Sequence, residues 1–221
     1  MTDKSRITRR RFLGLLGGAV GVAALGCCGL TVLGMRTPEA ELKQLTCGGG
    51  SEMSQKILVA YATKAGSTGE VAEAIGKALC AGGSAVDVKP VKEVDDIDSY
   101  RAVVVGSAIR VGRWLPEAIR FVEANAGTLA TMPVAYFQLS GFLQDDTPEK
   151  RQEAAAYLAP VRALVEPVSE GLFAGKIEYS TLSFFDRTIA KLVGSAEGDW
   201  RDWEAIRTWA TALRPTLLGS Q

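Results

Sequence analysis

At 221 residues the chain is long enough for one ordinary globular domain with an appendage, and 47% of its residues are hydrophobic against 23% charged. Lys and Arg total 25, as do Asp and Glu, so no global field favours nucleic acid or an acidic partner, and no nucleic-acid role is expected. Histidine is absent, which removes Ser-His-Asp and Cys-His nucleophiles and most transition-metal sites together. Of the four cysteines, Cys27 and Cys28 lie in an apolar N-terminal run, and Cys47 and Cys80 cannot make a zinc set alone. No metal and no protein nucleophile are therefore expected, and any enzymatic chemistry belongs to a bound cofactor.

The first element is a targeting segment, residues 1–36. Lys4, Arg6, Arg9, Arg10 and Arg11 precede a run without charge, residues 12–35. Within it, Thr8-Arg9-Arg10-Arg11-Phe12-Leu13-Gly14 resembles the twin-arginine translocation signal, with Gly14 departing from the lysine often found at the end. At 1.5 Å per residue the run can cross a hydrocarbon core of about 30 Å as an apolar helix. An uncleaved anchor ranks ahead of cleavage, for which no Ala-x-Ala site is evident, and of lipidation at Cys27. Arginines before the run keep the N-terminus cytoplasmic, so a membrane-associated protein with its folded domain on the extracytoplasmic side is expected. Residues 37–55, with Pro38 and Gly48-Gly49-Gly50-Ser51, read as a flexible linker. Cys47 within it reads equally as incidental or as a free thiol, disulfide partner or lipid site.

A single folded domain is expected over residues 56–215. Residues 56–61 and 102–106 are near-continuous apolar runs rich in strand formers, as in strands buried on both faces. Between them, Val71, Ala72, Ala74, Ile75, Ala78 and Leu79 recur at helical spacing before Gly82-Gly83, and residues 85–91 read as a second strand. Residues 115–124 form a helix with Pro116 in its first turn, and residues 134–139 a fourth strand. Residues 148–164 are helical, 172–179 a fifth strand, and 184–192 and 203–213 the last helices. The alternation predicts an α/β fold, a doubly wound five-stranded parallel sheet whose ligand lies outside the carboxyl ends of its strands.

Three loops at those ends carry the chemistry. Thr63, Lys64, Ala65, Gly66, Ser67 and Thr68 bring hydroxyls and backbone N–H groups to a helix N-terminus, where a phosphate is favoured. The loop lacks GxxxxGK[ST] and GxGxxG, which leaves a mononucleotide. It resembles the flavodoxin phosphate loop, with Ala65 where many members carry a third hydroxyl. Ser107, Ala108, Ile109, Arg110, Gly112 and Trp114, followed by Phe121-Val122 and Met132-Pro133-Val134-Ala135-Tyr136-Phe137, are similar to the menaquinone-dependent protoporphyrinogen oxidase branch of flavodoxin-like proteins. The similarity continues through Pro148-Glu149-Lys150-Arg151, Phe184-Phe185-Asp186-Arg187 and Asp202-Trp203-Glu204.

The resemblance implies a flavodoxin-like fold with FMN as cofactor. Trp114 or Ile109 would lie against one face of the flavin ring, Arg110 or Arg113 would favour its anionic reduced form, and Ser140 and Gly141 would touch its pyrimidine edge. Trp114 reads equally as core, whereas for each arginine solvated charge is the favoured reading over flavin contact. The apolar positions of 184–193 read as core or as a surface for membrane, quinone or tetrapyrrole. The resemblance implies an oxidoreductase passing electrons from an organic donor to a quinone or redox protein, protoporphyrinogen being one option. An exported electron carrier without its own substrate is the alternative, and a flavin-free fold the third.

Overall fold

The computed structural model describes residues 41–48, 56–183, 187–188 and 196–219. The expected N-terminal apolar helix and most of the helix expected at 184–192 lie outside them. Nine strands and six α-helices follow in chain order among the described residues, with short 3-10 turns between. They are β1 (Leu45–Cys47), β2 (Lys56–Ala62), α1 (Ser67–Ala81), β3 (Val86–Pro90), β4 (Tyr100–Arg110), β5 (Arg113–Trp114), α2 (Pro116–Ala124) and α3 (Ala126–Leu129). After these come β6 (Val134–Ser140), α4 (Pro148–Ala156), α5 (Ala159–Arg162), β7 (Ser169–Ala174), β8 (Lys176–Ile177), β9 (Gly198–Asp199) and α6 (Trp203–Leu218).

The main sheet runs β1-β3-β2-β4-β6-β7, and the pairings from β3 to β7 are all parallel. The five parallel strands thus have the order 2-1-3-4-5 of a flavodoxin-like sheet, whose switch point lies between β2 and β4. Period-two alternation explains the double burial. In β2, Ile57, Val59 and Tyr61 face α1 and α6, with Val71, Ile75, Leu79, Ile206 and Leu213. Leu58 and Ala60 face the other way, toward Leu115, Phe121, Leu129 and Val161.

Two boundaries differ from the sequence reading. The helix expected at 148–164 stops at Ala156 and restarts at Ala159, with Pro160 in the new first turn. The fifth parallel strand is Ser169–Ala174, three residues earlier than the apolar run suggested, because pairing with β6 sets Ala135 opposite Ser169. Residues beyond it, Lys176–Ile177, turn away to pair with β9.

The largest difference is in the segment read as a flexible linker. Leu45–Cys47 adds an antiparallel edge to β3, with Leu45 opposite Val88 and Cys47 opposite Val86. A disulfide joins Cys47 to Cys80 in α1, with Cα atoms 6.3 Å apart. The Tyr61 hydroxyl accepts from the Lys43 backbone N–H at 2.7 Å and donates to the Lys43 carbonyl at 2.9 Å. One of the four readings left open for Cys47, the disulfide, is thereby selected.

The Tyr61 clasp makes a pH prediction. Burial pushes the Tyr61 hydroxyl from its ordinary 10.0 up to about 12. A raised folded-state value means that stability is complete below the unfolded value and is lost as pH rises through the folded one. The stability difference between the wild type and Tyr61→Phe, measured by denaturant midpoints, should therefore shrink between pH 10 and 12. A difference constant over that range would show that the hydroxyl does not hold its proton against burial.

Candidate functional site

The three loops picked out in the sequence leave neighbouring strands at one edge. Ala62 of β2 is paired with Ser107 of β4, and Ala108 of β4 with Leu139 of β6. With strands about 4.8 Å apart, the loops form one continuous rim.

The phosphate loop is built from its own hydroxyls. Thr63 Oγ1 accepts from the Gly66 N–H at 3.0 Å, closing a turn that needs Gly66 at φ 89°, a conformation disfavoured for residues with a Cβ. α1 then starts at Ser67; the Gly69 and Glu70 N–H groups donate to the Gly66 carbonyl at 2.9 and 3.2 Å, and those of Ser67 and Thr68 have no carbonyl within the helix. Thr68 Oγ1 is fully buried and has no hydrogen-bond partner among the described residues. An orphaned buried hydroxyl in the first turn of a helix, beside a glycine turn, is the donor set that a phosphate monoester completes.

Lys64 is half-exposed and pairs at 3.3 Å with Glu117 in the first turn of α2. Its charge ties the loop to that helix. Ala65 adds no polar group. An anion here would be held by N–H groups and hydroxyls of Ser67 and Thr68.

The second loop is a hairpin. Ile109 opposes Trp114 and Arg110 opposes Arg113, leaving Val111 and Gly112 as the turn. Both have positive φ, 51° and 68°, the geometry of a type I′ turn. Gly112 suits it, whereas a β-branched Val111 is strained there. Ser107 secures the base: its Oγ accepts from the Leu115 N–H and donates to the Ala108 carbonyl, both at 2.9 Å.

Trp114 corrects one expectation. The ring does not offer a face to the rim; it is 2% exposed, its Nε1 donates to Gln138 Oε1 at 2.9 Å, and it meets Tyr136 edge-on at 5.5 Å. A two-residue strand alternates its side chains, so Trp114 points into the core and supports the hairpin from beneath. Ile109 and Ala108 are half-buried at the rim, and Arg110 and Arg113 are exposed. In the third loop, Ser140 Oγ accepts from the Phe142 N–H at 3.2 Å, and Gly141 is half-buried in the turn that follows.

Two supporting groups were not foreseen. Gln138 is fully buried between Trp114 and the Ala154 carbonyl, to which Nε2 donates at 2.6 Å. Arg201, 9% exposed, bonds Glu70 in the first turn of α1 at 2.8 Å and Asp199 at 2.7 Å, and stacks 4.4 Å from the Trp203 ring. The guanidinium holds the Asp199 carboxyl below the usual range. It braces the phosphate-loop helix from behind. The run Asp199-Trp200-Arg201-Asp202-Trp203 carries a signal of this kind, buried charge flanked by aromatics, though its partner is remote in sequence.

Fold and rim together define a mononucleotide-binding α/β protein of the flavodoxin type. The family described as "Flavodoxin domain" matches residues 58–203, and the chain belongs to it. The chain is similar to the Escherichia coli (strain K12) protein named protoporphyrinogen IX dehydrogenase [quinone], 25% identical over 73% of this chain and 99% of that one. A protein of the same name from Leishmania major is 25% identical over 73% of this chain and 75% of its own. Among solved structures, a short-chain flavodoxin associated with a PDU bacterial microcompartment aligns with TM-score 0.50 and 15% identity, covering 73% of this chain and 98% of that one, a likeness of fold. The cofactor of the family is FMN. The rim fits it: the orphaned Thr68 hydroxyl and the glycine turn would receive a phosphate, and the hairpin and the 140–142 turn would offer the apolar and backbone walls a ring system needs.

Proposed function

We propose that this protein is an exported FMN-dependent oxidoreductase that takes electrons from an organic donor and gives them to a quinone. The observation that carries the reading is the unpartnered Thr68 hydroxyl at a glycine turn on the rim shared by β2, β4 and β6. Similarity over nearly the whole length of a quinone-named relative supports the acceptor. FMN, when bound, supplies hydride and single-electron chemistry. The chain holds the phosphate with Ser67 and Thr68, orients the ring system between the hairpin and the 140–142 turn, and excludes water beneath it with Trp114 and Leu115. Across the cycle a donor loses two electrons and two protons, and the quinone leaves as a quinol carrying both.

Export rests on Thr8-Arg9-Arg10-Arg11-Phe12-Leu13 and is supported by the Cys47–Cys80 disulfide, since such bonds persist in oxidising compartments and are rare in the cytosol. The charge-free residues 12–35 would stay as the anchor, with the domain on the extracytoplasmic side. The purified protein should be yellow, should release FMN on heating, and should be reoxidised by a quinone faster than by a small redox protein. A colourless protein that ignores added FMN contradicts the cofactor; preference for the redox protein favours a carrier without its own substrate. Replacing both Arg9 and Arg10 with Lys should strand the chain in the cytoplasm, and undiminished export would exclude the twin-arginine route.

A further inference from the structure

We infer that the rim carrying the flavin site is held facing the membrane surface by the chain's own N-terminal segment, so that the quinone it meets is dissolved in lipid. This rests on the anchored, FMN-bound reading above. Because β1 runs antiparallel to β3, with Leu45 opposite Val88 and Cys47 opposite Val86, residues 41–44 stand at the carboxyl ends of the parallel strands, on the same edge as the three loops. They are fixed there by the Tyr61 clasp on Lys43, by the bond from Gln44 to Glu93 after β3, and by the Cys47–Cys80 disulfide.

Chain length limits what the anchor can do. The charge-free run ends at Met35, and only residues 36–40 separate it from Glu41. At about 3.3–3.6 Å per residue, that stretch reaches less than ~20 Å even when fully extended. An anchor joined so closely to this edge keeps the edge near the bilayer.

The surface of the edge suits a lipid headgroup layer. Five large hydrophobic side chains are exposed among the described residues, and three, Leu42, Val111 and Phe142, belong to the carboxyl edge. Val111, at the hairpin tip, is 86% exposed, and it holds that position despite its φ of 51°. Strain kept at a fully exposed apolar tip is explained by a contact that the isolated domain does not make. Exposed Lys92, Arg110 and Arg113 share the edge. Of the acids there, Glu41, Glu117, Asp145 and Asp146 are paired with Lys43, Lys64, Lys150 and Arg151, and Glu93 accepts from Gln44. Apolar tips among basic residues suit the interface of a bilayer containing anionic lipid.

The test uses the full chain, FMN-loaded, in vesicles of phosphatidylethanolamine and phosphatidylglycerol, with Cys27 and Cys28 changed to Ser. An environment-sensitive dye is attached at Val111→Cys or at Gly127→Cys, the latter exposed in open space before β6 on the far edge. Shallow spin-labelled lipid should quench the dye at 111 severalfold more than at 127; equal quenching overturns the inference. A second arm needs no label. Leu42→Ser, on the same edge but outside the walls of the FMN site, should lose severalfold of its rate with a long-chain quinone in the vesicles while keeping its rate with a water-soluble short-chain quinone. Unchanged rates with both overturn the inference. Failure of the chain to float with vesicles, or absence of flavin absorbance, instead removes the anchored or FMN-bound reading beneath it.

Discussion

Thr68→Val should move affinity and stability in opposite directions. The valine keeps the shape and β-branching of the threonine and removes only a hydroxyl that is fully buried without a partner. In the absence of FMN that hydroxyl has given up its bonds to water for nothing, at a cost of about 1–3 kcal/mol for a buried unsatisfied group, so the apoprotein variant should gain about 1 kcal/mol. With FMN bound, the same hydroxyl bonds a charged phosphate, worth about 1.5–3 kcal/mol. The variant should then bind FMN roughly 10- to 100-fold more weakly. Fluorescence titration of the apoprotein gives the affinity and denaturant midpoints without flavin give the stability. A variant less stable than wild type with unaltered FMN affinity would mean that the hydroxyl serves the fold, and the phosphate cradle would have to lie elsewhere.

The reason the turn at Gly66 and the start of α1 were legible in the sequence while the burial of Trp114 was not is one of range. The phosphate loop is a local object: a strand-forming run, a hydroxyl-rich turn with Gly66, and helical spacing beyond it specify the cradle within a few residues. The parallel strands β2, β4 and β6 were equally plain because burial on both faces writes continuous apolar runs. Trp114 sits in a two-residue strand, and whether it faces rim or core depends on hairpin register and on Gln138, which is 24 residues away. Arg201 and Glu70 are 131 residues apart, and nothing local couples them. β1 is harder still. Three residues beside a glycine run have no periodicity to read, and they become a strand only through β3, Tyr61 and Cys80.

That dependence makes the disulfide the other large handle on the molecule. Cys47 and Cys80 are 33 residues apart, and closing a loop of that length in the unfolded chain contributes about 3–4 kcal/mol on the chain-entropy estimate. A strand of three residues at a sheet edge has little else to hold it, since each end of β1 adjoins irregular chain. Replacing both cysteines with serine should therefore lower the melting temperature by about 10 °C for a domain of this size. Loss of protection should concentrate in β1 and its partner β3 in amide exchange, while β4 and β6 keep theirs. A reductant should shift the wild type by the same amount and leave the double variant unmoved; equal insensitivity of the two would mean that the bond does not form. Export then gains a structural consequence. A chain retained in the cytosol would keep both thiols, leaving the β1 edge to Tyr61, the Gln44–Glu93 bond and strand pairing, and the proposed tether would lose a fixed point. On the proposed export route, oxidation would close that joint in the same compartment in which the rim would meet the membrane.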